Sequence, residues 1–301
     1  MNYRSFLGEE LTEQQKSEGL FHIIPVPFEA SVSYGHGTAG GPEAILEASQ
    51  QLELWDGTGI PALRGIVTDK AVEAEKADAM VEACAAKVIE ALGKERVPII
   101  LGGEHTVSVG AFYALDRWRK ETGKEIGIVQ IDAHGDLRSD YRGIHMSHAC
   151  VMRRAVELGF PIFQVGVRSI SPEEVTFRNE QKALRPESIG WLDAAEAVRR
   201  QVDIIPLPDT FPEHVYLTID IDGLDPALFP STGTPEPGGL SWYQTIDMIT
   251  SLTRSRNVIG FDLVELAPVR DRNADPFGAA RLIYEVMGLV ERNCRPEKKQ
   301  G

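Results

Sequence analysis

Seven side chains able to bind a metal or move protons stand at the ends of four short apolar runs. They are His105 after Val97-Pro-Ile-Ile-Leu101; Asp132, His134 and Asp136 after Ile126-Gly-Ile-Val-Gln-Ile131; Asp220 and Asp222 after Val215-Tyr-Leu-Thr-Ile219; and Glu265 after Val258-Ile-Gly-Phe-Asp-Leu-Val264. In an extended chain the side chains at i, i+2 and i+4 share a face, so Asp132, His134 and Asp136 can meet beyond the end of their strand. An Asp-x-His-x-Asp spacing alone also fits a solvated loop. Four such tips converging do not. Four aspartates brought within a few ångströms could not all stay ionised without cations, because like charges at that range push carboxyl pKa values up. Two divalent ions supply the missing charge. Carboxylates with two imidazoles and no thiolate suit Mn²⁺ best, with Zn²⁺, Co²⁺, Ni²⁺ and Fe²⁺ as competitors.

The elements that must carry these groups alternate regularly. Phe21–Val26 and Gly65–Thr68 read as further strands, and Ile162–Val167 as another. Helices are expected from Pro42 to Leu54, Val72 to Leu92 with Gly93 as its stop, after His105, over Ala149–Leu158, Ser241–Leu252 and Pro276–Arg292. The loop 31–41 between the first strand and its helix is rich in small residues and suits a pocket rim. Residues 171–212 are polar and irregular, with a helix near Ala194–Val202. No linker or repeat divides the chain. The expectation is one α/β domain over 1–301, a parallel sheet with helices on both faces, and a short polar tail from about 294. Open parallel sheets bind ligands at the carboxyl ends of their strands, where the seven residues lie.

Composition narrows the function. With 31 Lys and Arg against 45 Asp and Glu, the net charge of −14 disfavours nucleic acid and anionic membrane surfaces and favours cations. No apolar run reaches membrane-spanning length and the N-terminus lacks a signal-peptide pattern, so a cytoplasmic enzyme is expected. Cys84, Cys150 and Cys294 are far apart and odd in number, which fits free thiols.

Gly102-Gly-Glu-His105, Asp132-Ala-His-Gly-Asp136, Asp220-Ile-Asp-Gly-Leu-Asp-Pro226, Gly233-Thr-Pro-Glu-Pro-Gly-Gly-Leu240 and Leu263-Val-Glu-Leu266 together resemble the arginase/agmatinase (ureohydrolase) family in order and spacing. With Gly40-Gly-Pro42, the resemblance runs from about residue 25 to 285, and it is nearest to agmatinases through Asp136-Leu-Arg138, Ser147-His-Ala149 and Arg153-Arg154. It implies a three-layer α/β/α sandwich around a mostly parallel sheet, two Mn²⁺ per chain, and homo-trimers or homo-hexamers. It also implies His105 and Asp136 on the first ion, His134 and Asp222 on the second, and Asp132 and Asp220 bridging. Glu104 stands where Asp is frequent in the family and is expected to touch the ligands from behind, altering their orientation. His148 matches the family's proton-shuttle histidine. The implied catalytic groups are Asp136, His148 and Glu265. A water shared by the two ions attacks a guanidinium carbon, Glu265 holds the guanidinium, Asp136 passes the proton on, and His148 protonates the leaving amine.

The expected substrate is a small cationic guanidino compound, agmatine first, giving putrescine and urea. Leu137-Arg138-Ser139-Asp140-Tyr141 lacks the small polar residues with which arginases hold an amino acid, and the Gly233–Gly239 turn disfavours formiminoglutamate. Arg138 is either a surface ion-pair partner or a pocket residue that would favour guanidinobutyrate; guanidinopropionate, arginine and guanidine complete the alternatives. Outside the class stand a single-zinc deacetylase, disfavoured because no two histidines are adjacent, and a non-catalytic homologue, disfavoured because every ligand is present. His22, His36, His145 and His214 read as loop or strand-end residues, Cys150 as a buried thiol, and Glu236 as a turn residue bordering the site.

Overall fold

Eight runs rich in Val, Ile and Leu pair into one sheet in the computed structural model, which describes residues 3–293. The strands are β1 (Phe21–Val26), β2 (Ile66–Thr68), β3 (Val97–Gly102), β4 (Ile126–Ile131), β5 (Ile162–Val165), β6 (Ile189–Leu192), β7 (His214–Asp220) and β8 (Asn257–Val264). Every pairing is parallel, in the order β2-β1-β3-β8-β7-β4-β5-β6. The helices are α1 (Glu13–Glu18), α2 (Gly41–Ser49), α3 (Ala77–Gly93), α4 (Ser108–Thr122), α5 (Val151–Glu157), α6 (Pro172–Leu184), α7 (Ala194–Arg199), α8 (Trp242–Ser255) and α9 (Ala274–Asn293).

Helices cover both faces, and for that reason β1, β3 and β4 are buried at every residue. Alternate residues serve opposite cores. Ile99 and Leu101 of β3 and Val129 and Ile131 of β4 pack with Leu46 of α2, Met248 of α8 and Ile283 of α9. Ile100, Ile126 and Ile128 pack with Val81 of α3, Phe112 of α4 and Met152 of α5. Each such Ile or Leu contributes about 1.5–3 kcal/mol when fully buried. The result is the expected α/β/α sandwich, with a wholly parallel sheet among the described residues.

Several boundaries differ from the sequence reading. α2 stops at Ser49 rather than Leu54, and α3 starts at Ala77 rather than Val72. Residues 72–76 are not helical because Val72 donates its N–H to Pro25 O and its side chain joins the core. α3 does end at Gly93, as expected, and the left-handed residue that turns the chain follows at Glu95. Ile162–Val165 is shorter than expected, since Gly166 has φ 90° and turns the chain away. The irregular segment contains α6 and the edge strand β6 as well as the expected α7. The tail from about 294, including Cys294, lies outside the described residues.

Candidate metal centre

The site lies where the four central, adjacent strands β3, β8, β7 and β4 end. β3 leads through Gly102 and Gly103 into His105. A side chain at Gly103 would place its Cβ 2.1 Å from Phe28 O, so only glycine lets the loop after β1 close against this tip. β7 ends in Asp220, whose carboxylate accepts the N–H of Asp222 at 2.9 Å, turning the chain so that both carboxylates stay in the site. Asp136 and Glu265 both hold left-handed backbone, φ 51° and 64°, an unfavourable state for a non-glycine residue and one concentrated at functional sites. That twist aims each carboxylate at the common centre.

Proton bookkeeping at His105 shows what the centre requires. Its Nε2 donates to Thr218 Oγ1 at 2.9 Å, and the Thr218 hydroxyl donates to Asp262 Oδ1 at 2.7 Å. In the neutral ring Nδ1 therefore carries a lone pair. It is buried without a hydrogen bond and faces Asp132, Asp136 and Asp220 oxygens at 3.1, 2.9 and 3.5 Å. A lone pair set against three carboxylates calls for positive charge between them, a proton on Nδ1 or a metal ion; burial works to lower His105, but its pairing with Asp132 and Asp136 raises the ring well above its ordinary value. His134 Nδ1 repeats the pattern, 3.1 Å from Asp222 Oδ2 and 3.6 Å from Asp132 Oδ1. Asp132 therefore turns one oxygen to each imidazole. Two groups of side chains can each hold an ion: His105, Asp132 and Asp220, and Asp132, His134 and Asp222. Asp132 belongs to both.

Protons show the same demand for positive charge. Burial and then the Asp132 charge push Asp136 up to about 7. Burial, followed by Asp222 and Asp132, holds Asp220 well above the usual carboxyl range. Burial works to lower His134, yet its bonds to Asp132 and Asp222 outweigh it and raise the ring to about 12. Asp132, whose burial would raise it, is instead lowered by the two imidazoles. Without metal, the cluster gathers protons to balance its carboxylates.

These tips open into a cavity of about 320 Å³ that also exposes His148, Arg138, Glu174 and Tyr141. Glu265 lines it, with one oxygen accepting the His105 N–H at 2.6 Å; burial, then the nearby Glu104 carboxylate, raises its pKa. Thus the structure brings together all eight expected site residues: His105, Asp132, His134, Asp136, His148, Asp220, Asp222 and Glu265. Asp132 is placed by the groups behind it, since Gln130 Nε2 donates to its Oδ2 at 2.7 Å.

Other expectations resolve individually. Arg138 lines the cavity and is also an ion-pair partner, its Nε 3.9 Å from Glu174 Oε2 on the cavity wall. Glu104 makes no hydrogen bond with a ligand side chain among the described residues. Its carboxylate turns to Ala30, Ser31 and Thr106. His36 is exposed and pairs with Glu29, while His22 is buried in β1 against Asp69, and His145 Nδ1 meets Ser139 O. Glu236 gives its carbonyl to Arg168, which fastens the turn over the site. Cys84 and Cys150 are free and buried, and burial raises the Cys150 thiol to about 11. Sequence reasoning missed Gln130, Ser31, Ser33 and Glu174. Gln130 was signalled as an amide inside the otherwise apolar β4.

Among the described residues no helix is long and apolar enough to cross a membrane. The family model described as the arginase family matches residues 20–288. The chain is 37% identical over 281 residues to the N(1)-aminopropylagmatine ureohydrolase of Synechocystis sp., covering 88% of this chain and 87% of that protein. It is 33% identical to the agmatinase of Pyrococcus horikoshii, covering 96% and 98% of the two. Among solved structures, the agmatine ureohydrolase of Thermoplasma volcanium superposes with a TM-score of 0.80 at 27% identity, over 97% of this chain and 96% of that one. A match over nearly the whole chain, with side chains at the strand tips that could hold metal ions, makes this chain a member of the arginase family and an enzyme of the ureohydrolase class.

Proposed function

We propose that this chain hydrolyses the terminal guanidino group of agmatine or of its N1-aminopropyl derivative, releasing urea and the corresponding amine. The observation that carries the reading is Asp132, fully buried, with one oxygen toward His105 and the other toward His134. Such a carboxylate is built to be shared. On this reading His105, Asp132, His134, Asp136, Asp220 and Asp222 hold two Mn²⁺, oxygen-rich donors with two imidazoles suiting that ion. When bound, the metal pair supplies a water acidic enough to attack at neutral pH.

The chain's own groups do the rest. Glu265 has one oxygen committed to the His105 N–H and offers the other to a guanidinium, fixing the carbon over the attacking water. Asp136, a carboxylate in the same cavity, receives the water's proton at its oxygen and hands it toward the leaving nitrogen. His148, beside it in the same cavity, exchanges that proton with solvent. Glu174 stands 3.9 Å from Arg138 at the cavity wall and offsets its charge, which weakens the attraction Arg138 would otherwise exert on a carboxylate substrate. We read the chain as one domain over 1–301, assembling as a trimer or hexamer. The buried free thiols Cys84 and Cys150 suit a cytoplasmic setting.

Agmatine is the smaller candidate. The longer N1-aminopropylagmatine is favoured by the 37% identical relative that carries its name. The test is urea release from both, and from guanidinobutyrate, guanidinopropionate, arginine and guanidine, at matched concentrations. The reading expects the two cationic amines to lead in kcat/KM. A lead by guanidinobutyrate, reversed by Arg138→Ala, overturns it.

A further inference from the structure

The loop after β1 and the tip of β3 meet behind His148, and the donors there can be counted to the last hydrogen. Glu104 is fully buried. Its Oε2 accepts the N–H groups of Ala30 and Ser31, each at 2.6 Å, and its Oε1 accepts the hydroxyls of Ser31 at 2.7 Å and Thr106 at 2.5 Å. As a carboxylate it only accepts, so the hydrogen of Ser31 Oγ must point to it. That hydroxyl has two lone pairs left. One takes the backbone N–H of His148 at 3.1 Å, and the other faces His148 Nδ1 at 3.1 Å. A lone pair facing a bare nitrogen is no bond, so Nδ1 must carry the hydrogen. Nε2 is then the basic nitrogen of the neutral ring. It lies 2.8 Å from Ser33 Oγ, a hydroxyl free to reverse, and both His148 and Ser33 line the cavity. The Tyr141 ring closes the site edge-on, 5.2 Å from the imidazole centroid.

We infer that Glu104 and Ser31 are positioning residues: the buried carboxylate, acting through the serine hydroxyl, keeps the hydrogen of His148 on Nδ1 and presents Nε2 to the cavity as the proton-exchanging atom. In the step itself, Nε2 takes a proton through Ser33 and the ring becomes imidazolium. The Nδ1–H to Ser31 and Ser31 to Glu104 bonds keep their direction throughout. The nearby Glu104 charge favours that cation, and the ring cannot turn without breaking both of its side-chain bonds. The longer side chain at position 104 thus directs its hydrogen bonds to the loop that holds His148 and to Thr106. The place of His148 in turnover rests on the hydrolytic reading above; its tautomer does not.

Two measurements separate the two. The first is the nitrogen spectrum of the full chain, labelled with 15N at histidine and loaded with diamagnetic Zn²⁺. It is recorded at a pH where His148 is neutral, its pKa being lowered chiefly by burial. Nδ1 should be the protonated nitrogen, and Ser31→Ala should mix the tautomers. The opposite tautomer in the unaltered protein overturns the inference whatever the enzyme hydrolyses. The second is a kinetic cycle. Ser31→Ala should lower kcat about 10–100-fold with KM within about twofold, the signature of a lost proton-transfer alignment. Ser31→Thr should restore most of the rate, and Ser31→Ala should cost nothing further on a His148→Ala background. Losses that multiply in the double variant, or a threonine that rescues nothing, make Ser31 a merely structural residue and refute the proposal. Absence of urea release from every guanidine with the Nδ1–H tautomer present refutes the hydrolytic reading and leaves the positioning intact.

Discussion

Replacing Gln130 by Leu should weaken metal binding without touching a ligand. Gln130 Nε2 donates to Asp132 Oδ2 at 2.7 Å, on the oxygen that faces His105. Behind it Gln164 donates to Gln130 Oε1 at 2.6 Å and to Gly135 O at 2.7 Å, and Arg178 donates to Gln164 Oε1 at 3.0 Å. The chain of amides is buried throughout, so Asp132 has a fixed direction before any ion arrives. A hydrogen bond to a charged group is worth about 1.5–3 kcal/mol. At about 1.4 kcal/mol per decade this corresponds to roughly 10- to 150-fold in affinity, close to the loss typical of groups that support a metal ligand. Leaving one Gln164 N–H unpaired should further cost the fold about 1–3 kcal/mol. Competition with a chelator gives the affinity, and urea denaturation of the metal-free protein gives the stability. Binding within about twofold of the parent would show that Asp132 needs no support and would refute the reasoning.

Three further outcomes follow from the same geometry. Asp132→Ala should lose both ions and all activity, whereas His105→Ala should retain one ion, as metal analysis of the purified variants will show; equal retention contradicts the shared role of Asp132. Gly103→Ala should lower the free energy of unfolding, read from denaturant titration, by at least about 1–3 kcal/mol, because a Cβ 2.1 Å from Phe28 O forces the β1 loop off the β3 tip. Asp56 has its carboxyl lowered: burial opposes ionisation, but Arg292 and the N–H groups of Gly59 and Thr58 prevail. A depressed carboxyl contributes stability that is complete above its unfolded pKa and is lost as pH falls through its folded one. Asp56→Asn should therefore destabilise the protein at neutral pH and flatten its acid unfolding profile; an unchanged acid limb contradicts the assignment.

The site was legible because strand tips concentrate chemistry within one to five residues of an apolar run, as at Ile131 and Asp132 or Val264 and Glu265. The fold followed from the same alternation. α6 escaped because its buried residues are Glu174 and Arg178, so hydrophobic periodicity had nothing to mark it. Its start was written in Ser171-Pro-Glu-Glu174, whose capping box the structure shows complete. β6 is a four-residue edge strand containing Gly190, too short to stand out. What no local pattern conveys is pairing across the chain. Ser31 meets Glu104 and His148 only because β1 lies beside β3, and Gln164 meets Gln130 only because β5 lies beside β4.

The most direct test of the account is a crystal structure of the protein loaded with Mn²⁺, with anomalous scattering recorded at the manganese edge. The account predicts two peaks at the ends of β3, β8, β7 and β4, with Asp132 bonded to both, one oxygen to the ion that His105 holds and the other to the ion that His134 holds. A single peak, or an Asp132 that touches only one ion, would contradict it.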